Sequence, residues 1–294
     1  MRKSILILAA TLLAASPISA KPPALPAAIY TDPAPDKAHP ARMEVLHIPS
    51  GGVEINGVAY LASGAGLHPT LVLCHGWPGN EKNLDLAQAV RRAGWNVVTF
   101  NYRGSWGSAG NFRFAQNPED ASAVLAYLRA PANAAKLRID TSKLALAGHS
   151  MGGWVTAMVG GKDDGLQGVA LISAANMGAI GILPRAEIVT LSADNAETLA
   201  GTSPDQMADE LIAGTKPFDF MQAAPGLARK SVLILSSDDG LAPQTDALGQ
   251  AITAAGGMRV TMVHVATDHG WSDKRIELQA RVIRWLQGLL PQKR

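Results

Sequence analysis

Short apolar runs rich in β-branched residues alternate with segments of helical spacing along most of this sequence. The apolar runs predict strands, and segments with apolar positions three and four residues apart predict helices. The predicted strands are 70–74, 96–100, 143–147, 168–172, 231–235 and 259–265, and the predicted helices are 84–93, 118–129, 151–159, 245–255 and 276–290. Strands that alternate with helices predict an α/β fold with a mostly parallel sheet and helices on both faces.

Two stretches depart from that alternation. Residues 44–48 and 53–61 flank Ser50-Gly51-Gly52 and predict a β-hairpin, which brings the sheet to eight strands. Residues 174–229 contain helical pieces, glycines and prolines, but no convincing strand pattern. This stretch is too long for a simple connection, so we interpret it as a small helical cap inserted between two late strands.

The beginning of the chain has the layout of a secretory signal peptide. Arg2 and Lys3 precede an apolar run at 5–15, and the small residue Ala20 marks the expected cleavage point. The run is about half of the ~20 residues that cross a bilayer, so we expect no stable membrane anchor after cleavage. The expected organisation is a signal peptide, a Pro-rich and poorly ordered leader, and one domain, at residues 1–20, 21–42 and 43–294. We therefore expect a periplasmic or secreted protein.

Charge and cysteine content narrow the possible partners. The chain carries 26 Lys and Arg against 24 Asp and Glu, and Arg2 and Lys3 account for the excess. The processed chain is therefore close to neutral, and nothing in its charge favours nucleic acid as a partner. Cys74 is the single cysteine, so no disulfide forms within the chain. Because it ends an apolar run, we expect a small buried side chain rather than a redox or nucleophilic group.

The most informative motif is Gly148-His149-Ser150-Met151-Gly152, which lies between a predicted strand and a predicted helix. In such a turn the glycines relieve crowding, and the serine hydroxyl stands above the sheet beside the N-terminus of the helix. Ser150 is therefore the candidate nucleophile, and the amide of Met151 is a candidate donor to an oxyanion.

A serine nucleophile needs a base, and the base needs a group that orients it. Asp238 and Asp239 follow the predicted strand 231–235, and His269 follows the predicted strand at 259–265. Both positions are carboxyl ends of strands, where open α/β sheets build their sites. No pair of histidines has the spacing of a metal site, and neither a metal nor another cofactor is implied.

With these motifs, residues 43–290 resemble the α/β-hydrolase superfamily, in the branch of the serine esterases and serine aminopeptidases. The resemblance implies that the acid stands four residues before a proline, which favours Asp239 before Pro243 over Asp238. It also implies that the Trp77 amide is the second oxyanion donor. The loop His75-Gly76-Trp77-Pro78-Gly79 is also similar to that of epoxide hydrolases and dehalogenases, but those enzymes carry an aspartate nucleophile where this chain has Ser150.

Candidates for substrate contact are less constrained. Trp106 follows a predicted strand near the expected site, and Met177 and Phe218 lie in the predicted cap. The apolar residues of the cap either line a substrate pocket or form the core of the cap itself. Arg103 is interpreted as structural, with contact to a substrate carboxylate as the alternative.

The expected function is hydrolysis of a carboxylic ester by a Ser-Asp-His triad through an acyl-enzyme, with a small ester or short peptide as substrate. One alternative is an aminopeptidase or dipeptidyl-peptidase-like activity, which uses the same triad but has to bind a free amino terminus. The other alternative is a non-catalytic binding protein that retains the fold.

Overall fold

The structure, a computed structural model, describes residues 24–291 and contains one sheet of eight strands within them. The strands are β1 (Arg42–Ser50), β2 (Val53–Leu61), β3 (His68–Cys74), β4 (Asn96–Phe100), β5 (Ile139–His149), β6 (Leu166–Ile172), β7 (Ser231–Ser236) and β8 (Val260–His264). Their lateral order is β1-β2-β4-β3-β5-β6-β7-β8. The pairs β1–β2 and β2–β4 are antiparallel, and every other pair is parallel.

The antiparallel end of the sheet follows from a tight turn. Ser50 pairs with Val53, so Gly51 and Gly52 form a two-residue loop, with φ of 55° and 83° respectively. Two successive positive φ angles are typical of the turn that matches the twist of a hairpin, and glycine adopts them without steric cost.

Helices cover both faces of the sheet. The helices are α1 (Leu84–Arg92), α2 (Asn117–Arg129), α3 (Pro131–Leu137), α4 (Met151–Gly160), α5 (Met177–Ile180), α6 (Arg185–Ala193), α7 (Pro204–Ala213), α8 (Ala224–Leu227), α9 (Ala242–Ala254) and α10 (Arg275–Leu289). α1 and α10 pack on one face, in a core that contains Val90 and Ile283. α2, α4 and α9 pack on the other, in a core that contains Leu125 and Leu248. The predicted α/β fold is confirmed. Central strands such as β7 are apolar and buried because both of their faces are covered, whereas the edge strand β8 is largely exposed.

Residues between β6 and β7 form the predicted helical insertion, which consists of α5 to α8 and a 3₁₀ turn at Phe220–Ala223. Its middle is hydrogen-bonded to the loop that follows β4. The Trp106 amide donates to Thr198 O at 3.0 Å, and the Ala200 amide donates to Gly104 O at 2.7 Å. The insertion is therefore fastened to the body of the domain at its centre as well as at its ends.

The described part of the leader packs against the domain. Residues Ala27–Ile29 form a 3₁₀ turn, and Ala28 and Ile29 contact the core under α1 and α10. Arg92 Nε donates to Ala28 O at 2.6 Å. Residues 27–29 therefore contact the domain, and the poorly ordered leader over 21–42 stays a prediction. The predicted signal peptide lies outside the described residues, and no helix from residue 24 to 291 is long and apolar enough to cross a membrane.

A buried ion pair joins three parts of the fold. Asp120 in α2 is fully buried and accepts hydrogen bonds from Ser50 Oγ at 2.5 Å and from Arg103 Nε at 2.6 Å. The Arg103 main-chain amide donates to the same carboxylate at 2.9 Å, and Glu119 binds the outer end of the guanidinium. Arg103 therefore has the structural role expected from the sequence, since its charge is already neutralised here.

We predict that Asp120→Asn destabilises the fold by about 3 kcal/mol, because removing one charge of a buried pair leaves the other without its partner. Urea denaturation followed by circular dichroism measures the change. The matched control is Asp205→Asn, since Asp205 is exposed and pairs with Arg185 on the surface. Exposed pairs contribute little to stability, so equal losses in both variants would contradict the structural role of Asp120.

Candidate active site

Ser150 occupies a strained turn between β5 and α4. Its φ of 57° and ψ of −123° lie in a region that side chains rarely adopt. The flanking glycines allow this turn to pack closely. A Cβ atom on Gly152 would meet the carbonyl of Cys74 in β3, and one on Gly148 would meet the main chain of Gly152. Residues of other types at these positions would push α4 away from the sheet.

His269 and Asp239 are joined by a hydrogen bond. His269 lies in the loop between β8 and α10, and its Nδ1 is 2.7 Å from Asp239 Oδ2 in the loop between β7 and α9. The Leu241 amide and Ser237 Oγ also donate to this carboxylate, each at 2.9 Å. Burial opposes ionisation of Asp239, but the hydrogen bonds from His269, Leu241 and Ser237 outweigh it and lower its pKa to about 2. Because a carboxylate only accepts, His269 Nδ1 carries a proton and Nε2 is free to accept one in the neutral ring.

The alternative acid, Asp238, is directed to a different histidine. Its Oδ1 is 2.8 Å from His264 Nε2, and both side chains are exposed. Asp268, next to the candidate base, accepts the Ser272 amide at 2.8 Å in a local turn. Of these three aspartates, Asp239 is the one hydrogen-bonded to His269.

Two further histidines near Ser150 are buried and structural. His149 Nε2 is 2.7 Å from the main-chain oxygen of His269, and the two rings are 4.6 Å apart. His75 Nδ1 is 2.7 Å from Gly76 O. Burial lowers the pKa of each ring to about 4, so both are neutral near neutral pH. Since a carbonyl oxygen only accepts, His149 donates to the loop that carries His269 and supports its position.

Ser150, Asp239 and His269 line one cavity of about 490 Å³. The rest of its lining is mostly apolar, with two amide side chains. These residues are Trp77, Met151, Ala175, Met177, Ala179, Ile180, Leu183, Leu191, Asn195, Leu241 and Gln244. Among the described residues of this lining, Asp239 is the only acid and there is no lysine or arginine. The cavity therefore suits an uncharged, largely apolar group.

The loop at Gly76 and Trp77 passes directly beside Ser150. A Cβ atom on Gly76 would lie 3.0 Å from Ser150 Cβ, and Trp77 and Met151 both line the cavity. Within residues 24–291 the amides of Trp77 and Met151 have no hydrogen-bond acceptor. Two free amides at the head of a helix and an adjacent loop can bind a developing negative charge.

Of the three side chains expected to contact substrate, only Met177 lines this cavity. Trp106 lies behind the loop of Trp77, where its Nε1 donates to Pro78 O at 2.8 Å and Lys82 Nζ lies 4.1 Å from its ring centroid. Phe218 is buried against Trp154 at a ring distance of 5.2 Å. Trp106 and Phe218 therefore lie outside this cavity, each with a partner elsewhere, and their contact with substrate stays a prediction.

Some apolar residues of the cap line the cavity, and others form the buried core beneath it. Ile180 and Leu183 line the cavity with Met177, whereas Met207 and Phe220 are buried in the core. Sequence reasoning missed Asn195 and Gln244. Gln244 Oε1 accepts the Asn176 amide at 3.1 Å, which orients the side chain of this residue at the start of α9. No pattern in a single sequence marks such a contact between distant segments.

Cys74 is buried, as predicted, and burial raises the pKa of its thiol to about 12. It therefore remains a neutral thiol near neutral pH. No group of three or more His, Cys, Asp or Glu side chains able to hold a metal ion occurs in the described part of the chain.

Comparison with known proteins relates this geometry to solved structures. The hyperthermophilic esterase of the archaeon Pyrobaculum calidifontis has a TM-score of 0.67 at 19% identity, covering 85% of each chain. An esterase structure from the fungus Rhizomucor miehei has a TM-score of 0.62 at 19% identity, covering 90% of this chain and 86% of the other. At such identities these likenesses show a shared fold and no more.

The acylaminoacyl peptidase of Pyrococcus horikoshii has a TM-score of 0.66 at 14% identity, covering 86% of this chain. The match covers 42% of the peptidase, so this chain spans less than half of that protein. No curated protein matches the sequence. Residues 71–288 match the Alpha/beta hydrolase family. That match spans most of the sheet and every residue of the cavity, and this chain therefore belongs to the alpha/beta hydrolase family.

Proposed function

We propose that this protein is a serine hydrolase that cleaves carboxylic esters through an acyl-enzyme. The observation that carries the proposal is the hydrogen bond of 2.7 Å between His269 Nδ1 and Asp239 Oδ2, on the same cavity as Ser150. It supplies a base with a free nitrogen, an acid that orients it, and a nucleophile in a strained turn.

In the proposed mechanism, His269 Nε2 accepts the Ser150 proton as Ser150 Oγ attacks the substrate carbonyl. The new C–O bond turns the carbonyl oxygen into an oxyanion, to which the Trp77 and Met151 amides donate. The imidazolium, stabilised by Asp239, then gives its proton to the departing alkoxide as the ester bond breaks. A water molecule, deprotonated by His269, attacks the acyl-enzyme. His269 then returns this proton to Ser150 Oγ as the acyl C–O bond breaks and the acid departs.

The lining of the cavity supports an ester with an uncharged acyl group. An aminopeptidase needs negative charge for a free amino terminus, but the acids of the insertion do not line the cavity. Asp205 and Asp209 pair with Arg185, Glu197 accepts from Asn80, and Glu210 accepts the Ala115 amide. Cleavage of a neutral ester therefore fits this cavity better than cleavage of a peptide with a free amino terminus.

We predict that Ser150→Ala lowers kcat for a short p-nitrophenyl ester by a factor of about 10⁴ or more, with the fold retained. Circular dichroism and the urea midpoint check the fold. The matched control, Ser122→Ala, changes an exposed serine on α2 and should retain full activity. Retained turnover in Ser150→Ala would refute the mechanism. Absence of labelling of the folded wild type by a fluorophosphonate probe would instead favour a binding protein.

The choice of substrate class has its own test. We predict kcat/KM at least a hundredfold higher for p-nitrophenyl esters of short neutral acids than for aminoacyl p-nitroanilides, because the cavity has no free carboxylate to bind an ammonium group. The two chromogenic series share a leaving-group readout and are compared at one pH. Turnover of the anilides alone would reverse the assignment in favour of an aminopeptidase.

We also propose that the protein is exported and cleaved after Ala20, which rests on the layout of residues 1–20. Expression of the full chain in a Gram-negative host should give a periplasmic protein that begins at Lys21. Intact mass and N-terminal sequencing check this. A cytoplasmic protein that retains its first twenty residues would contradict the proposal.

A further inference from the structure

Three buried side chains form a chain of hydrogen bonds that ends on Asp239. Ser173 follows β6, Ser237 follows β7, and Trp271 lies in the loop after β8, so they come from the ends of three neighbouring strands. Each is at most 1% exposed. Trp271 Nε1 is 3.0 Å from Ser173 Oγ, which is 2.6 Å from Ser237 Oγ, and Ser237 Oγ is 2.9 Å from Asp239 Oδ2.

The chemistry of the end groups determines the direction of every hydrogen bond in this chain. An indole N–H only donates, so Ser173 accepts from Trp271. An ionised carboxylate only accepts, so Ser237 uses its one hydroxyl proton toward Asp239. Ser237 must therefore accept from Ser173, and Ser173 must donate its own proton to Ser237. All three donors are directed toward the same carboxylate, and each bond polarises the next.

The backbone is strained at two residues of this hydrogen-bond chain, Ser173 and Trp271. Ser173 has φ of 43° and Trp271 has φ of 59°, both in the left-handed region. The Ser173 amide donates to Leu235 O at 2.7 Å, which holds the end of β6 against β7. Residues with side chains keep such conformations only where the surroundings over-determine them. The strain therefore indicates that surrounding contacts hold the side chains of Ser173 and Trp271 in place.

We propose that Trp271, Ser173 and Ser237 are positioning residues that act through Asp239 on the base His269. This inference rests on the proposed function, since it assigns a role in that reaction. Ser237 and His269 both donate to Asp239 Oδ2, so the serine chain takes up part of the negative charge that would otherwise attract His269. The hydrogen-bond chain thereby keeps Asp239 ionised. It also limits how strongly Asp239 stabilises the protonated form of His269.

Other charged groups around the base have hydrogen-bond partners outside this chain of side chains. His149 faces His269 from the end of β5 and is neutral. Arg275 in α10 pairs with Asp85 and donates to Gly270 O, next to His269, at 2.9 Å. Asp268 caps its own turn, and Asp238 binds His264. A change at Ser173 or Ser237 therefore reaches His269 through Asp239, whereas Trp271 also shares the loop after β8 with His269.

The experiment compares Ser237→Ala, Trp271→Phe and the double variant. Loss of the chain leaves more negative charge on Asp239 Oδ2, which stabilises protonated His269 and raises its pKa. Since the neutral ring is the base, the acid limb of the kcat/KM profile should move to higher pH. We expect a shift of about half a pH unit for Ser237→Ala and a smaller one in the same direction for Trp271→Phe. The double variant should shift no further than Ser237→Ala, because in this proposal Trp271 acts on Asp239 through Ser173 and Ser237.

Controls separate this role from a merely structural one. Ser236→Ala removes a neighbouring buried serine whose hydroxyl bonds to His264, 3.1 Å away, and should leave the acid limb unchanged. Ser173→Ala breaks the chain at its middle with little change in volume, so it replaces Trp271→Phe if that variant does not fold. Three results would overturn the proposal. The acid limb of the kcat/KM profile could stay in place in folded Ser237→Ala, it could stay in place in Trp271→Phe, or the shifts of the two single variants could add in the double variant.

A readout that needs no turnover distinguishes failure of this proposal from failure of the proposed function. The pKa of His269 is measured by NMR titration of histidine-labelled protein, assigned with a His269→Gln variant, and should rise in the same order among the variants. If the wild type cleaves no ester but the His269 pKa moves as expected among the variants, the proposed function fails, and the hydrogen-bond chain from Trp271 to Asp239 is supported. If the wild type cleaves esters but neither the His269 pKa nor the acid limb of the kcat/KM profile moves in the variants, only the proposal of positioning residues fails.

Discussion

Close packing between α4 and β3 is the constraint on which the candidate site depends. Gly152 contacts the carbonyls of Cys74 and His75, and Gly148 contacts Gly152, so the first turn of α4 lies against the sheet without intervening side chains. This closeness is accompanied by a positive φ at Ser150, a strained conformation that costs of order 1–3 kcal/mol. It also brings Gly76 against Ser150, which places the loop of Trp77 beside the helix N-terminus. Bulkier residues in place of Gly148 or Gly152 would move the Trp77 and Met151 amides apart.

The parallel part of the sheet positions the remaining groups. β5 to β8 run in the same direction, so the residues that follow them meet at one edge of the sheet. Ser150, Ser173, Asp239 and His269 each follow one of these strands, at separations set by a strand spacing of about 4.8 Å. Because apolar cores cover both faces, the strands cannot shift independently. The polar groups at the edge are therefore held by a rigid support.

The electrostatics beside Ser150 are simple because the two buried histidines there are neutral. Burial lowers the pKa of His75 and of His149 to about 4, so neither carries charge beside the candidate base near neutral pH. Among the described residues that line the cavity, Asp239 is the one acid, and hydrogen bonds from His269, Leu241 and Ser237 hold it ionised. The apolar walls supplied by α5 and α6 then surround a single negative charge that is already shared among donors. An uncharged substrate group meets no competing ion there.

The sequence by itself determined the features that depend on local patterning. Apolar periodicity predicted the sheet and the insertion, and the strand, glycine and helix pattern singled out Ser150. The positions of Asp239 and His269 after strands brought them into consideration, since strand ends in an α/β sheet share an edge. The placement of Trp106 and Phe218 away from the cavity could not be predicted in this way. Each ring is positioned by a partner from another segment, Pro78 for Trp106 and Trp154 for Phe218.

Only the tertiary structure decided which polar groups face the cavity and which support it. Gln244 is oriented by Asn176, and Ser173 meets Trp271 across 98 residues of sequence. Hydrogen bonds of this kind depend on the relative position of strands that fold together from distant parts of the chain. Serine and tryptophan are common in loops, so neither residue type indicates such a bond in a single sequence. The distance and direction between two side chains exist only once the sheet has formed.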